Sequence, residues 1–254
     1  MNETITSKIN IIGTGISNVD LEETIAYFSD WIEQQEKKRV CVTPVNCLVW
    51  AGKNSHLQQV YNSADLTLCD GVPLIWASRF LGNGALKGRV TGLDLLPAFT
   101  ETCHTKNYSM FFLGGAASTL QKVRSKLEEK YPGIRITGSY SPPYATVFSE
   151  EENQKILSLI AAAKPDILWV SLTAPKQDLW IYEHFSELQT KIAIGIGGAL
   201  DVMAGNISRA PIFMQKNGLE WLYRLYKEPR RLFRRYLVEA PAFLPALLKQ
   251  KWSQ

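Results

Sequence analysis

The chain has 254 residues, of which 46% are hydrophobic and 20% charged. This is the composition of an ordinary globular protein, and it excludes a disordered, collagen-like or coiled-coil chain. Residues 216–252 contain nine Lys or Arg and three Glu, whereas residues 1–215 contain 19 basic and 21 acidic residues, so the net charge of +4 comes from the C-terminal tail. A basic tail on a nearly neutral chain indicates an anionic partner.

Localisation is predicted from the hydropathy and the N-terminus. The longest apolar runs, at residues 192–200 and 240–248, are shorter than the ~20 residues that a membrane-spanning helix needs. Residues 1–10 lack the basic and apolar regions of a secretory signal, so we expect a cytosolic protein.

The cysteines follow no metal-binding spacing, and we expect all four to be reduced and buried: Cys41, Cys47, Cys69 and Cys103.

Short runs rich in Val, Ile, Leu and Phe alternate with helical patterns over the first 215 residues. This alternation predicts an α/β fold built on a largely parallel sheet. Strands are expected at residues 9–12, 39–43, 66–69, 109–113, 134–139, 167–171 and 191–195. Helices are expected at residues 21–37, 45–62, 93–106, 118–131, 150–163 and 176–188, the fifth of them capped by Ser149.

The alternation gives way to a helical, basic tail, so we predict an α/β core over residues 1–205 and an appendage over residues 206–254. Pro229 is expected to open a second helix or to kink one long helix. Two faces recur at helical spacing in the tail: an apolar one with Leu219, Leu222, Tyr223, Tyr226, Phe233, Tyr236 and Leu237, and a basic one with Arg224, Lys227, Arg231, Arg234 and Arg235. Such a tail is either an interfacial membrane helix or a helix packed on its own domain with a solvated basic face.

Three glycine clusters follow predicted strands: Gly13-Thr-Gly15, Gly114-Gly115 and Gly195-Ile-Gly197-Gly198. A glycine turn between a strand and a helix lets the backbone approach a phosphate. None of the clusters completes the dinucleotide fingerprint. Each is therefore either a tight turn or one part of a nucleotide site.

Asp70-Gly71 ends a predicted strand, where a carboxylate faces the ligand crevice of an open α/β sheet. Asp70 is thus either a general base or part of an ordinary Asp-Gly turn. No D-x-D triplet, nucleophile elbow, P-loop or H-E-x-x-H motif occurs, and the three histidines are scattered. We expect no metal site and no cofactor.

Eight motifs occur in an order that resembles the WecG/TagA/CpsF glycosyltransferases, glycosyltransferase family 26. The match covers about Thr43 to Arg235. The motifs are Asp70-Gly-Val-Pro, Arg89-Val-Thr-Gly, Phe112-Leu-Gly-Gly, Pro175-Lys-Gln-Asp, Gly197-Gly-Ala-Leu-Asp, Ala204-Gly, Arg209-Ala-Pro and Gly218-Leu-Glu-Trp-Leu-Tyr-Arg. The resemblance implies a Rossmann-like core of the GT-E type with a C-terminal appendage that docks over the active site and helps to hold the membrane.

The same resemblance implies an inverting, metal-independent transferase. Its donor would be a UDP-sugar, with N-acetylmannosamine as the first choice and glucose or galactose as alternatives. Its acceptor would be a sugar on a polyprenyl diphosphate, at the anionic inner face of the plasma membrane, in the synthesis of cell-surface polysaccharides such as teichoic acid, capsule or exopolysaccharide. We expect a peripheral membrane protein that forms a homo-oligomer or stays monomeric, with no nucleic-acid partner.

Site residues also follow from the resemblance. Asp70 matches the base that deprotonates the acceptor, and Arg89 matches an arginine near the sugar or diphosphate. Thr43 and Asn46 resemble a pocket-lining pair, although the family's T-x-N is Thr-Pro-Val-Asn here. Arg224, Arg231 and Arg234 match the appendage arginines, which would offset the charge of the leaving diphosphate. The other expected substrate contacts are Gln177, Gly114, Gly115, Gly197, Gly198, Asp201 and Arg209.

Two other classes of protein stay open. An NAD-type Rossmann oxidoreductase is supported by the glycine clusters alone. A non-enzymatic protein that binds an anionic membrane or nucleic acid through its basic tail would leave Asp70, Arg89 and Gln177 without a role.

Overall fold

The computed structural model describes residues 7–82, 84–216 and 218–253, without the side chains of Lys216 and Arg231. Its strands are β1 (Lys8–Ile11), β2 (Thr14–Ser17), β3 (Lys38–Pro44), β4 (Leu66–Asp70), β5 (Met110–Gly114), β6 (Ile136–Tyr140), β7 (Ile167–Ser171) and β8 (Ile192–Gly195). The first two form a hairpin, and the other six form one sheet in the order β4-β3-β8-β7-β5-β6. The predicted α/β fold is confirmed.

The helices are α1 (Leu21–Glu33), α2 (Val45–Ala51), α3 (Ser55–Asn62), α4 (Val72–Leu81), α5 (Gly92–Lys106), α6 (Ala117–Lys130), α7 (Glu150–Ala163), α8 (Lys176–His184), α9 (Ala199–Ala204), α10 (Ile212–Lys216), α11 (Glu220–Lys227), α12 (Pro229–Phe233) and α13 (Phe243–Trp252). A π-helix (Arg234–Glu239) and a 3₁₀ turn (Ala240–Ala242) join the last two helices. Among the described helices, none is long and apolar enough to cross a membrane.

The chain divides into two compact units. Unit 1 comprises the described residues within 1–20, 42–91 and 208–254, and unit 2 comprises residues 21–41 and 92–207. The two units are groups of residues that are compact in space, and they do not test a functional boundary. The predicted core of residues 1–205 with an appendage of residues 206–254 therefore stays a prediction.

Unit 2 contains most of the sheet. β3, β8, β7, β5 and β6 pair in parallel. The side chains of β5, β7 and β8 are almost all apolar and buried, as expected for strands covered on both sides by helices. The edge strand β6, with the sequence ITGSY, is only partly buried. One face packs Leu168 and Val170 of β7 against Ile156 and Ile160 of α7. The carboxyl ends of β5, β7 and β8 consequently lie side by side.

Unit 1 has its own core, in which the C-terminal helix takes part. Phe243 and Leu247 of α13 are buried together with Ile11, Leu48 and Leu74 from the hairpin, α2 and α4. Gln250 of α13 accepts a hydrogen bond from the Ile12 amide at 2.6 Å and donates one to the Asn10 carbonyl at 3.0 Å. Helix α13 therefore packs as part of this unit.

Several predicted elements are confirmed and others are wrong. α7 has the predicted bounds, with Ser149 accepting from the Glu152 amide, and α12 opens at Pro229. The single helix predicted over residues 45–62 is wrong, because Asn54 caps a second helix by accepting from the Leu57 amide. At Gly13 the tight-turn alternative is confirmed: Ile12 and Gly13, both with positive φ, form the two-residue turn of the β1–β2 hairpin, which leads into a strand and not into a helix.

Candidate active site

Asp70 is the last residue of β4 and stands immediately before α4. Gly71 between them has φ of +131°, a conformation that favours glycine and lets the chain turn directly from strand into helix. The Val90 amide donates to the Cys69 carbonyl at 2.8 Å, which brings the segment with Arg89 to the end of β4. The local backbone thus places a carboxylate and a guanidinium at the carboxyl end of one strand.

Of the side chains that the structure describes, three arginines act on the Asp70 carboxylate. Burial raises its pKa above the ordinary value, while the positive charges of Arg235, Arg224 and Arg89 lower it and the nearby Glu220 raises it further; the net shift is upward. No hydrogen bond engages this carboxylate within the part of the chain that the structure describes. A half-buried carboxylate with a raised pKa and unengaged oxygens has the properties of a general base.

Arg235 is held in place by Asn46. Its Nε donates to the Asn46 Oδ1 at 2.9 Å, and the Asn46 side chain is buried. Thr43 is also buried, and its hydroxyl donates to the Leu68 carbonyl of β4 at 2.8 Å. Of the predicted pocket-lining pair, Asn46 therefore orients an arginine of the cluster, and Thr43 ties β3 to the strand that carries Asp70.

The tail arginines differ in their surroundings. Arg224 has a buried Nε for which the described residues offer no hydrogen-bond partner, and one terminal nitrogen lies 4.0 Å from Glu228. Arg234 is mostly exposed and pairs with Glu239 at 3.1 Å. Arg231 belongs to α12, but its side chain lies outside the described part of the chain. The structure thus brings Arg224 to Asp70, together with Arg235 instead of Arg234.

Glu220 links two further predicted residues. Arg89 donates to its Oε2 at 3.2 Å, and Arg209 donates to its Oε1 at 3.3 Å. Neither Glu220 nor Arg235 was among the predicted site residues. Glu220 stands within the Gly218-to-Arg224 motif, which is the signal that identifies it; the helical spacing alone does not separate Arg235 from Arg234.

The glycine turns of unit 2 form a second group of predicted site residues. Gly114 has φ of +97°, and a Cβ there would lie 2.4 Å from the Ser171 carbonyl oxygen, so no other residue fits without movement. The Gly115 amide donates to the same carbonyl at 3.2 Å, and the Ser171 hydroxyl donates to the Gly197 carbonyl at 2.5 Å. Ser171, which the sequence reasoning missed, therefore connects the turns after β5 and β8.

Gln177 and Asp201 stabilise these turns. The buried Gln177 accepts a hydrogen bond from the Gly197 amide at 3.0 Å. Asp201 accepts from Thr119 of α6 at 3.0 Å and from Asn206 at 3.1 Å, which ties α9 to α6. Gly198 precedes the first turn of α9. In this structure Gln177 orients the Gly197 backbone and Asp201 holds the side chains of Thr119 and Asn206. Contact of Gln177 or Asp201 with a nucleotide stays a prediction.

The sequence predicts buried, reduced cysteines and no metal site. The four cysteines are buried and free, as predicted, and burial raises the pKa of Cys69 to about 12, so this thiol next to Asp70 stays protonated. Among the described residues, no group of three or more His, Cys, Asp or Glu side chains is placed to hold a metal ion. The absence of a metal requirement stays a prediction.

Comparison with known proteins agrees with the resemblance. The profile of the glycosyl transferase WecG/TagA/CpsF family matches residues 9–254. An N-acetylglucosaminyldiphosphoundecaprenol N-acetyl-beta-D-mannosaminyltransferase of Bacillus spizizenii is 32% identical over 201 residues, which cover 79% of this chain and 75% of the relative. A Staphylococcus aureus protein of the same name is 25% identical over 248 residues, covering 97% of this chain and 94% of that protein. The chain therefore belongs to the WecG/TagA/CpsF family of glycosyl transferases.

Proposed function

We propose that this protein transfers a sugar, with N-acetylmannosamine as the first candidate, from a UDP-sugar to a sugar linked to a polyprenyl diphosphate. The names of the relatives support both the transferred sugar and the lipid-linked acceptor. One observation of the structure carries the proposal: an Asp70 carboxylate without a hydrogen-bond partner among the described residues, under the influence of three guanidinium groups. A base surrounded by cations suits a reaction that deprotonates an alcohol and releases an anion.

Asp70 would act on the acceptor. Its carboxylate takes the proton of the acceptor hydroxyl as that oxygen forms a bond to the anomeric carbon of the donor. The bond from the same carbon to the UDP oxygen breaks with its electron pair, so the configuration inverts and UDP leaves. The proton on Asp70 then passes to solvent. General base catalysis of this kind contributes typically 10²–10⁴-fold in rate.

The arginines would stabilise the departing diphosphate. Displacement of UDP builds negative charge, and donors aimed at developing charge are among the largest contributions to catalysis. Arg224 is suited to this role because its buried Nε has no partner in the described part of the chain. Arginine stays charged at all relevant pH values and binds two phosphate oxygens at once. We propose that these groups take the place of a divalent metal.

The tail would also bind the membrane surface. Leu219, Tyr223 and Tyr236 are partly buried, but the larger part of the predicted apolar face is exposed: Leu222, Tyr226, Phe233 and Leu237, together with Trp221 and Val238. Basic side chains accompany them at Lys227, Arg230 and Arg234. Apolar side chains bordered by Lys and Arg are typical of peripheral binding to anionic lipid. We propose that the protein works at the inner face of the plasma membrane.

A donor panel tests the proposed function. The purified protein is incubated with a short-chain N-acetylglucosaminyl diphosphate lipid and UDP-N-acetylmannosamine, its uronic acid, UDP-glucose or UDP-galactose, and the lipid product is identified by mass spectrometry. We expect one donor to give a disaccharide lipid of inverted configuration. Thermal-shift titration with UDP and NAD is the control, because only a true ligand stabilises the native state. Failure of transfer with every donor, together with stabilisation by NAD alone, would refute the proposal.

A further inference from the structure

Glu220 is the acidic member of the arginine cluster in unit 1. It is the first residue of α11 and is 9% exposed. Its two carboxylate oxygens accept from different arginines, Arg89 at 3.2 Å and Arg209 at 3.3 Å. These arginines belong to two separate segments of the chain, so a single carboxylate contacts guanidinium groups from both segments.

A purely stabilising role is a poor explanation for this arrangement. Burial of a carboxylate and guanidinium groups removes their hydration, and buried ion pairs often contribute little to stability compared with apolar packing. Both Glu220 oxygens do, however, accept hydrogen bonds, and these bonds restrict the long side chains of Arg89 and Arg209, which would otherwise sample many rotamers. Preorganised cations are what the binding of an anionic substrate group requires.

We propose that Glu220 is a positioning residue, which holds Arg89 and Arg209 as an aligned pair for an anionic substrate group and sets the balance of charge that Asp70 experiences. This inference rests on the proposed function of Asp70 as the base. It assigns Glu220 no contact with the reacting atoms. The ligand class follows from the guanidinium pair, which suits a diphosphate or a carboxylate-bearing sugar.

The electrostatic consequence has a definite sign. Among the described side chains, the charged groups that act on Asp70 are Arg235, Arg224, Arg89 and Glu220, and the neighbouring Cys69 is a neutral thiol. Removing the charge of Glu220 takes a negative charge away from Asp70 and removes one counter-charge of Arg89. Both changes favour the ionised carboxylate, so the pKa of Asp70 falls.

The substitution Glu220→Gln tests the proposal through the pH dependence of kcat/KM. We expect the acid limb to move to lower pH, because Asp70 ionises more easily. We also expect a higher KM for the donor and a fall in kcat/KM of up to about 10²-fold, the scale for misplacing a positioning group by about 1 Å. A residue that merely stabilised the fold would leave the acid limb where it is.

The variant Arg209→Gln has the opposite expected sign. It leaves Glu220 with one cationic partner fewer, so the acid limb should move to higher pH. Glu239→Gln is the matched control, since Glu239 pairs with the exposed Arg234 and is not among the described groups that act on Asp70. The acid limb of kcat/KM of this variant should lie at the same pH as that of the wild type.

If Glu220→Gln folds and its acid limb of kcat/KM lies at the same pH as that of the wild type, the proposal is overturned. If that variant does not fold, Arg209→Gln decides alone, and an unmoved limb there has the same meaning. Asp70→Asn separates the two hypotheses: if it keeps wild-type turnover, the proposed base is wrong, whereas a slow Asp70→Asn with an unmoved Glu220→Gln limb refutes only the role of Glu220.

Discussion

Asp70 is subject to two opposed effects, and their balance determines how the protein responds to pH. Burial favours the neutral acid, whereas Arg235, Arg224 and Arg89 favour the carboxylate; burial prevails, and the pKa is raised. A base must be ionised to accept a proton, so the rate should rise as the pH passes through this raised pKa.

We therefore predict that the acid limb of kcat/KM lies above the ordinary aspartate value of about 3.9. The measurement is initial transfer rate against pH for the wild type and Asp70→Asn at equal protein concentration. The variant should lose this limb together with most of its activity. A wild-type limb at the ordinary aspartate pKa, or an unchanged limb in the variant, would contradict the assignment of Asp70.

The same shift has a consequence for stability. An acid whose pKa is higher in the folded than in the unfolded state adds stability at low pH, and this contribution disappears as the pH rises through the folded pKa. Ionised Asp70 thus lowers the free energy of unfolding at neutral pH. Residues selected for catalysis commonly have such a cost.

Asp70→Asn should accordingly unfold at a higher temperature than the wild type at pH 7, and the difference should shrink near pH 4. Asp166→Asn is the control of opposite sign. Burial raises the pKa of Asp166, but bonds from Lys191 at 2.7 Å and from Ser109 outweigh it and lower the pKa, so its loss should destabilise at pH 7. Thermal denaturation at both pH values measures this; a destabilised Asp70→Asn would be inconsistent with a raised pKa.

At the level of single elements, β5, β7 and β8 were readable from the sequence because each is a short run of apolar residues ended by a glycine or a serine. β7 has the predicted bounds, and β5 and β8 are displaced by one residue at one or both ends. α4 was missed because Val72 to Leu81 follows Asp70-Gly71 without a capping side chain. The hairpin was missed since its turn uses Ile12, a β-branched residue that rarely adopts positive φ.

The candidate site was readable only in part. Asp70, Arg89 and Arg224 were identified from motifs, and the structure brings them together. Periodicity did not separate Arg235 from Arg234, because the tail continues as a π-helix over Arg234–Glu239, where the spacing differs from that of an α-helix. Contacts such as Asn46 with Arg235 join residues far apart in the chain, and no local pattern reveals them.

The turn after β5 makes a prediction about its glycine. Gly114→Ala should lower the free energy of unfolding by about 3 kcal/mol or more, because it combines strain at positive φ with a collision between the new Cβ and the Ser171 carbonyl. Gly133→Ala is the matched control: its φ is also positive, at +83°, but a Cβ there meets nothing within 4 Å, so we expect about 1 kcal/mol. Denaturant unfolding measures both, and equal costs would show that the close approach to Ser171 is unimportant.

For the whole molecule, the distribution of charge distinguishes the tail from the rest of the chain. The tail contains the excess of basic residues and a series of exposed apolar side chains, while α13 at its end is packed in the core of unit 1. Such a segment is anchored to its unit and leaves apolar side chains exposed; we propose that these side chains face lipid.

The tail should direct binding to anionic vesicles. We predict that wild-type protein sediments with vesicles containing phosphatidylglycerol, less so at high salt, since charge attraction is screened. Replacing Trp221, Tyr226 and Phe233 by Ser should weaken partitioning by roughly tenfold for each side chain that inserts. Tyr144→Ser is the control, because Tyr144 is fully exposed in unit 2, outside the tail. Equal binding by the triple variant and the wild type would remove the membrane role of the tail.

The proposed chemistry depends on a carboxylate that activates the acceptor and on guanidinium groups that replace a metal. The most direct measurement is single-turnover transfer to the lipid-linked acceptor, in excess EDTA, by the wild type and by Asp70→Asn. We predict that the wild type keeps its rate and that the variant is slower by about 10²–10⁴-fold. Loss of wild-type transfer in EDTA, or a variant as fast as the wild type, would contradict the account.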